Sequence, residues 1–389
     1  MSDKVTPLHP ERERRRKLRR RIWSLVGLVI FVLLLLAVVL FHQELNLDRL
    51  RRFVTYLNVD TDGDYGHYSY ESHNSSAYAA FDDGLAIASV AGLKLYGADG
   101  VETTSASSTM TTPALDTGDR VALAWDAGGT SIIAASGKEG TVLDLITEQA
   151  LLDADISEGD EIAYAVAADG YRTVLTVLDS DQKEIFKWYS SSSYLPLCAV
   201  SKGGEQLAAV ALGQNEGAFE SRLLLLDTAV EDQEGVTVSL GNQLIFDLDY
   251  LGSRLCAVGE DSLWMVDDNG EVLGTYDYDS SYLMDYSLDG DGYAALSLNE
   301  YRAGSRYSVV TVDDNGEEIA STYLGEEILS VSAAGNYVAV LTAERLLIYT
   351  SDLELYHETV EIAGASRAAM RGDGSVLLIG SDSAELYLP

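Results

Sequence analysis

The sequence offers few side chains at the spacings that catalysis or metal binding requires. No two histidines are spaced like the ligands of a zinc site, and the five are His9, His42, His67, His73 and His357. The G-x-S-x-G, H-E-x-x-H and glycine-rich phosphate-loop motifs do not occur. We therefore expect no catalytic residues, no metal ligands and no cofactor.

One acidic stretch approaches the pattern of a calcium-binding loop. Asp60, Asp62, Asp64 and Glu71 fall at positions 1, 3, 5 and 12 of an EF-hand loop. Tyr65 stands where that loop needs a glycine, and no helical pattern flanks the stretch. We interpret it as an acidic linker, with cation binding left open as the alternative.

The sequence contains two cysteines, Cys198 and Cys256, and both lie inside apolar runs. A buried free cysteine behaves as a small core residue. The spacing of the two says nothing about whether their sulfur atoms are close. We predict two buried thiols rather than a disulfide.

A run of twenty uncharged, mostly apolar residues, Ile22–Phe41, determines the predicted topology. As an α-helix it would span about 30 Å, the thickness of the hydrocarbon core of a bilayer. Nine Lys and Arg residues precede it, and positive charge stays on the cytoplasmic side. We predict a basic cytoplasmic tail at 1–21, a single transmembrane helix at 22–41, and everything beyond it outside the cytoplasm. A cleaved signal peptide is the alternative, but the run is longer than usual and no small-residue cleavage site follows it.

The charge is distributed very unevenly. The whole chain has a formal charge of −36, and the first 41 residues hold nine basic and three acidic side chains, so the remaining 348 residues carry −42. Such a domain is repelled by phosphate backbones, which excludes nucleic acid as a partner. Acidity also keeps an exported domain soluble, and that alone is a sufficient reason for it.

After a polar juxtamembrane spacer at 42–76, residues 77–389 repeat one pattern: an apolar run, a turn with Gly or Asp, and a second apolar run. Examples are AYAAFDDGLAIASV from Ala77 and LIFDLDYLGSRLCAVG from Leu244. Asp268-Asn269-Gly270 and Asp314-Asn315-Gly316 are predicted hairpin turns, because Asn and Gly tolerate the positive φ that such turns need. Four short strands about every 40 residues indicate an all-β fold, a single β-propeller.

We count eight four-stranded blades, with seven as the alternative. The last unit shows only three clear strands before the chain ends at Pro389. A ring of blades is commonly closed by a strand from the other terminus, which removes an open sheet edge. We predict that His67–Ser72, which lies within the spacer, supplies the missing strand.

The repeats resemble known families. The segment Thr176–Ser190, TVLDSDQKEIFKWYS, resembles a degenerate pyrroloquinoline-quinone-type or WD-like propeller repeat. The basic tail and single anchor, followed by YAAFDDGLAIAS, GLKLYGADG and SYLPLCAVSKGG, resemble a domain-of-unknown-function family of membrane-anchored propellers from Firmicutes. The resemblance implies a fold and a topology but no activity and no site residues. Quinone chemistry gains no support, because the two cysteines are far apart and only Trp125, Trp188 and Trp264 fall in the repeats.

Tyrosines form the candidate binding site. Five of them lie around Ser- and Asp-rich loops that precede inner strands and should meet on one rim: Tyr189, Tyr194, Tyr276, Tyr278 and Tyr282. Tyrosine is favoured at protein interfaces because it combines a large contact area with a hydroxyl. The alternative is that these rings pack between neighbouring blades, the usual fate of large aromatic side chains.

The sequence therefore predicts a membrane-anchored interaction scaffold at the outer face of the cytoplasmic membrane. Its partner would be an envelope protein, bound without catalysis. A ligand- or cation-binding sensor ectodomain is one alternative. An enzyme acting on wall glycans or using a quinone is the other.

Overall fold

A computed structural model describes residues 66–389 except 74, 216, 303, 305 and 363. In this part of the chain the strands form eight antiparallel sheets of four strands each, which confirms the predicted eight-bladed propeller. We call the first strand of each blade its inner strand and the fourth its outer strand.

The first four blades use sixteen strands, beginning after the short strand β1 (His67–Ser69). Blade 1 contains β2 (Ser76–Phe81), β3 (Gly84–Ser89), β4 (Gly92–Tyr96) and β5 (Glu102–Ser107). Blade 2 contains β6 (Pro113–Thr117), β7 (Ala122–Asp126), β8 (Ser131–Ser136) and β9 (Gly140–Ile146). Blade 3 contains β10 (Leu151–Ile156), β11 (Ile162–Ala168), β12 (Tyr171–Leu178) and β13 (Glu184–Ser190). Blade 4 contains β14 (Tyr194–Val200), β15 (Gln206–Asn215), β16 (Ala218–Asp227) and β17 (Val236–Ser239).

The other four blades complete the ring. Blade 5 contains β18 (Ile245–Leu251), β19 (Arg254–Gly259), β20 (Ser262–Val266) and β21 (Val272–Asp277). Blade 6 contains β22 (Tyr282–Gly290), β23 (Tyr293–Asn299), β24 (Tyr307–Asp313) and β25 (Glu318–Leu324). Blade 7 contains β26 (Ile328–Ala334), β27 (Tyr337–Thr342), β28 (Leu346–Thr350) and β29 (Leu355–Thr359). Blade 8 contains β30 (Arg367–Met370), β31 (Val376–Ile379), β32 (Ser383–Tyr387) and, as its outer strand, β1.

The hydrophobic core lies between neighbouring blades rather than at the centre of the ring. Each blade is apolar on both faces of its sheet, and clusters of buried side chains join it to its neighbours. One such cluster joins Leu175 and Phe186 of blade 3 to Leu207 and Leu224 of blade 4. Sheets that are covered on both faces read as short continuous apolar runs, which is why the repeat is visible in the sequence.

Ring closure follows the prediction that an N-terminal strand completes the last blade. β1 pairs with β32 through Tyr68 opposite Ala384. The Tyr68 side chain is fully buried and meets Tyr96 of blade 1 edge-on, with ring centroids 6.4 Å apart. The Tyr70 hydroxyl lies 2.8 Å from the carbonyl oxygen of Ser383. The strand therefore removes the open edge of blade 8 and binds blade 8 to blade 1.

Both predicted Asp-Asn-Gly turns are present, but one detail of the prediction is wrong. Among the central residues only the glycines have positive φ, 83° for Gly270 and 79° for Gly316. The preceding Asp267 shapes the first turn, because its Oδ1 accepts hydrogen bonds from the backbone N–H groups of Asn269 at 3.0 Å and Glu271 at 2.7 Å. A turn that ends in a single left-handed glycine is the three-residue hairpin with a bulge. Asn therefore needs no positive φ here.

Cys198 and Cys256 are both buried free thiols, as predicted. Within the part of the chain that the structure describes, no helix is long and apolar enough to cross a membrane. The predicted cytoplasmic tail, the predicted transmembrane helix and the acidic residues Asp60, Asp62 and Asp64 lie outside the described residues.

Candidate partner-binding face

The topology collects particular loops at one end of the propeller. Because the strands of each blade are antiparallel, every inner strand begins at the same end at which the second strand is connected to the third. We call this end the top face. The predicted tyrosine loops, which lead from one outer strand into the next inner strand, therefore belong to the top face.

Inner strands of blades 3 to 7 share an irregularity close to the top face. In each of them the pairing with the second strand shifts by one residue near the start of the inner strand. In blades 5, 6 and 7 the extra residue is Phe246, Met284 or Leu329. These side chains are 46%, 46% and 40% exposed. A β-bulge leaves one residue unpaired and turns its side chain in a new direction, and here it presents large apolar groups to solvent.

A short sequence pattern accompanies the bulges in four blades. It consists of two apolar residues, an Asp or Ser, a further apolar or aromatic residue, and a second Asp or Ser. The copies are LLDAD from Leu151, IFDLD from Ile245, LMDYS from Leu283 and ILSVS from Ile328. The second apolar residue of each copy is the bulged one.

Two of the predicted tyrosines are exposed and paired with arginine. Tyr194 is 52% exposed, and Arg172 lies with its guanidinium carbon 5.1 Å from the ring centroid and donates a hydrogen bond of 3.2 Å to the hydroxyl. Tyr282 is 41% exposed, and the guanidinium carbon of Arg302 lies 5.4 Å from its ring centroid. Attraction between a cation and the face of an aromatic ring holds both pairs in place. The same arrangement thus occurs twice on the top face.

The remaining three predicted tyrosines have different environments. Tyr189 is exposed and its ring lies 4.9 Å from that of Tyr171. Tyr278 is only 2% exposed and belongs to the core between blades 5 and 6. Tyr276 packs partly against that core, and its hydroxyl donates to Glu318 at 2.9 Å. Burial raises the pKa of both Tyr276 and Tyr278. The structure thus places Tyr276 and Tyr278 between blades and leaves three tyrosines on the top face.

We give the name crescent to eleven of the exposed aromatic, apolar and arginine side chains on the top face of blades 3 to 7. Its members are Tyr171, Arg172, Tyr189, Tyr194, Phe219, Phe246, Tyr282, Met284, Tyr301, Arg302 and Leu329. Sequence reasoning missed Phe246, Met284 and Leu329. Their signal was the repeated pattern of two apolar residues before an Asp or Ser.

Below the crescent, inner strands carry aspartates toward the central channel of the propeller. They occur in blades 2, 3, 5 and 6 and are Asp116, Asp153, Asp155, Asp247, Asp249, Asp285 and Asp289. Several of them bind the next blade. Asp155 accepts a hydrogen bond of 2.7 Å from the backbone N–H of Val200, and Asp285 accepts one of 2.7 Å from Val331. Each such bond links the inner strands of adjacent blades.

These carboxylates are hard to ionise. Burial raises the pKa of Asp116 to about 6 and that of Asp153 to about 8. The pKa of Asp155 and that of Asp249 are raised well above the ordinary value, first by burial and then by the charge of Asp116 and other carboxylates around the channel. In the part of the chain that the structure describes, no three His, Cys, Asp or Glu side chains are arranged to hold a metal ion.

Comparison with known protein families identifies the family of this chain. The model of DUF5711, a family of unknown function, matches residues 59–382. The chain belongs to this family. The match covers the described propeller up to its last strand in sequence, β32, together with the residues just before the propeller, so membership in DUF5711 is a property of the propeller domain. No curated protein sequence matches the chain.

Solved structures similar to this member of DUF5711 include a WD40 domain and a further propeller. The C-terminal WD40 domain of Sif2 is similar over 82% of this chain and 97% of its own, with 10% sequence identity and a TM-score of 0.57. The Dos1 propeller is similar over 84% of this chain and 94% of its own, with 12% identity and a TM-score of 0.54. At such low identity the likeness shows the fold alone.

Proposed function

We propose that this DUF5711 protein is a single-pass membrane protein whose extracytoplasmic propeller serves as an interaction scaffold, and that the crescent binds an envelope protein. The apolar run Ile22–Phe41 and the basic residues before it support the anchor and its orientation. The charge of −42 beyond residue 41 supports a domain that stays soluble outside the membrane.

The bulges carry this proposal. Three consecutive inner strands each use an extra residue to turn Phe246, Met284 or Leu329 toward solvent. Apolar surface left in water costs about 25 cal/mol for each Å² that could have been buried. A core residue would gain nothing from such a bulge, whereas a binding surface gains an apolar anchor on a rigid strand.

The surroundings of these three residues also suit protein recognition. Arg172 and Arg302 are held over tyrosine rings, so their side chains are already ordered before a partner arrives. Tyr and Arg are the residue types that most often dominate binding energy at interfaces. A scaffold needs no catalytic group, and the crescent offers contact area rather than reactive side chains.

Chemical crosslinking in intact membranes, followed by mass spectrometry, tests the proposal. The test variant is Phe246→Ser combined with Met284→Ser and Leu329→Ser. The control variant, Val101→Ser with Val236→Ser and Leu355→Ser, removes three apolar residues that are at least as exposed but lie at the starts of outer strands, at the end of the propeller opposite the top face.

We expect one or two envelope proteins to be captured by the wild-type and control proteins and lost from the crescent variant. Equal capture by all three proteins would contradict a role for the crescent. Protease accessibility of the propeller from outside the cell tests the proposed orientation independently.

A further inference from the structure

A groove with a volume of about 940 Å³ runs along the outer edge of blade 3, away from most of the crescent. One side is the outer strand β13, from Glu184 to Tyr189. The other side is the connection between β16 and β17 of blade 4, from Thr228 to Glu234.

The floor of this groove is a free sheet edge. β13 is the last strand of its sheet and pairs only with β12. Across the described residues, no backbone hydrogen bond joins the outer edge of Glu184–Ser190 to another segment. An edge strand of seven residues with unpaired N–H and C=O groups can accept another strand.

Hydrogen bonds hold the wall of the groove, the connection between β16 and β17, in a defined conformation. The connection from β16 to β17 has eight residues, whereas the six other direct connections between third and fourth strands have three to five. Gln233 holds it in shape, since its side-chain nitrogen donates to the carbonyl oxygens of Asp227 and Val230, both at 2.6 Å. Trp188 of β13 donates from Nε1 to the carbonyl oxygen of Gln233 at 3.1 Å. The groove therefore exists before anything binds.

The charge of the groove is one-sided. Its four carboxylates, Glu184, Glu231, Asp232 and Glu234, face a single cation, Lys187. Lys187 is already paired with Glu184 at 3.2 Å. The other three carboxylates take part in none of the ion pairs found among the described residues. Exposed Ile185 and Tyr189 add apolar surface along the strand.

We propose that this groove binds an extended basic segment of a partner polypeptide, which pairs with β13 as a fifth strand of blade 3. Strand addition gives backbone hydrogen bonds along the free edge. Lysine or arginine at alternate positions would meet Glu231, Asp232 and Glu234, and apolar residues between them would contact Ile185 and Tyr189. Most of the crescent is not involved, so this inference stands or falls separately from the proposed function.

The experiment measures the binding of three fluorescein-labelled nonapeptides to the full-length protein in detergent micelles by anisotropy. The first alternates lysine and valine, and the second alternates glutamate and valine. The third is the lysine peptide with an N-methyl group on every backbone nitrogen, which keeps the charge but blocks pairing along both edges. A salt concentration of about 0.15 M screens the general attraction of the acidic domain for cations.

We expect the lysine peptide to bind at least about tenfold more tightly than each of the other two, a difference of about 1.4 kcal/mol. Glu231→Gln with Asp232→Asn and Glu234→Gln should weaken its binding by about tenfold or more. The matched control, Glu344→Gln with Glu354→Gln and Glu361→Gln, removes three exposed, unpaired carboxylates from blade 7 and should leave the affinity within about twofold.

Three results would overturn the inference: no binding of the lysine peptide, equal binding of its N-methylated form, or equal losses in the groove and control variants. The first excludes the groove as a peptide site of this chemistry. The second and third would mean that the peptide senses only the overall charge of the propeller. Hydrogen–deuterium exchange of Glu184–Ser190 should slow when the lysine peptide binds, which locates the contact at β13.

Discussion

The inner strands of blades 3 and 7 make the same contact with the next blade through different side chains. In blade 3, the carboxylate of Asp155 accepts a hydrogen bond of 2.7 Å from the backbone N–H of Val200. In blade 7, the hydroxyl of Ser332 accepts one of 2.9 Å from the backbone N–H of Met370. Blade 6 uses both types, with Asp285 and Ser287 two residues apart.

The difference shows that the link between blades needs an acceptor but not a charge. A serine hydroxyl remains neutral at every pH of interest, whereas a buried carboxylate must lose solvation to ionise. The inner strands of blades 2, 3, 5 and 6, which carry the buried aspartates, therefore make the stability of the ring depend on pH. The inner strand of blade 7, which uses the hydroxyl of Ser332, adds no such dependence on pH.

The largest predicted effect is a fall in the free energy of unfolding as pH rises from about 4 to 8. A carboxyl group whose folded pKa is raised stabilises the fold fully below its unfolded pKa of about 3.9 and loses that contribution as pH passes the folded pKa. For Asp116, with a folded pKa of about 6, the loss would be about 3 kcal/mol at about 1.4 kcal/mol per pKa unit. Asp153, with a pKa of about 8, extends the loss to higher pH. Urea unfolding followed by tryptophan fluorescence at several pH values measures this, and a flat or rising profile would contradict it.

The next effect isolates the charge from the hydrogen bond. Asp155→Asn keeps an oxygen that can accept from Val200 but can no longer ionise. We expect the variant to be more stable than the wild type at pH 8, by about 1 kcal/mol or more, and nearly equal to it at about pH 4, close to the unfolded pKa of the carboxyl group. Asp314→Asn, on an exposed turn of blade 6, is the control and should leave the pH profile unchanged. If Asp155→Asn destabilises the protein equally at both pH values, ionisation of the buried Asp155 carboxyl group does not cost stability, and the prediction is wrong.

The sequence was sufficient to predict the propeller because its signals are repeated. Apolar runs separated by Gly and Asp turns recur eight times, so single ambiguous strands do not alter the reading. The three-stranded last unit and the HYSYES segment together predicted closure by β1. Closure was predictable because an open blade edge has a general physical cost.

The candidate site was only partly predictable, because β-bulges interrupt the two-residue alternation of side chains along a strand. Both faces of a blade are covered by its neighbours, so regular alternation along an inner strand assigns both residues of an apolar pair to the core, including Phe246 and Met284. A bulge changes the facing of one residue, and its position is set by pairing with the second strand. Tyr278 shows the opposite error, since a polar loop context suggested exposure but the chain turns its ring between two blades.

A smaller loss of stability is expected from a change in the inner strand of blade 7. Ser332→Ala removes the acceptor for the backbone N–H of Met370. The loss should be about 1 kcal/mol of unfolding free energy, the usual value for a neutral hydrogen bond, and it should be the same at pH 5 and pH 8. Ser381→Ala, at an exposed turn of blade 8, serves as the control and should change little. A pH-dependent loss would mean that a neighbouring carboxylate, not the hydroxyl, governs this link.

The smallest effect reverses the sign of the pH dependence. Asp267 is an aspartate at an exposed turn, and hydrogen bonds from the backbone N–H groups of Glu271 and Asn269 lower its pKa. Its contribution to stability is therefore present above the unfolded pKa of about 3.9 and is lost as pH falls through the folded pKa. Asp267→Asn should destabilise the protein at pH 7 by less than Ser332→Ala does, and the difference from the wild type should shrink toward pH 3. The same unfolding series measures it, and a difference that grows on acidification would show that the N–H groups do not hold the charged carboxylate. Aspartates of one chain would thus respond to pH in opposite directions, according to whether water or protein surrounds them.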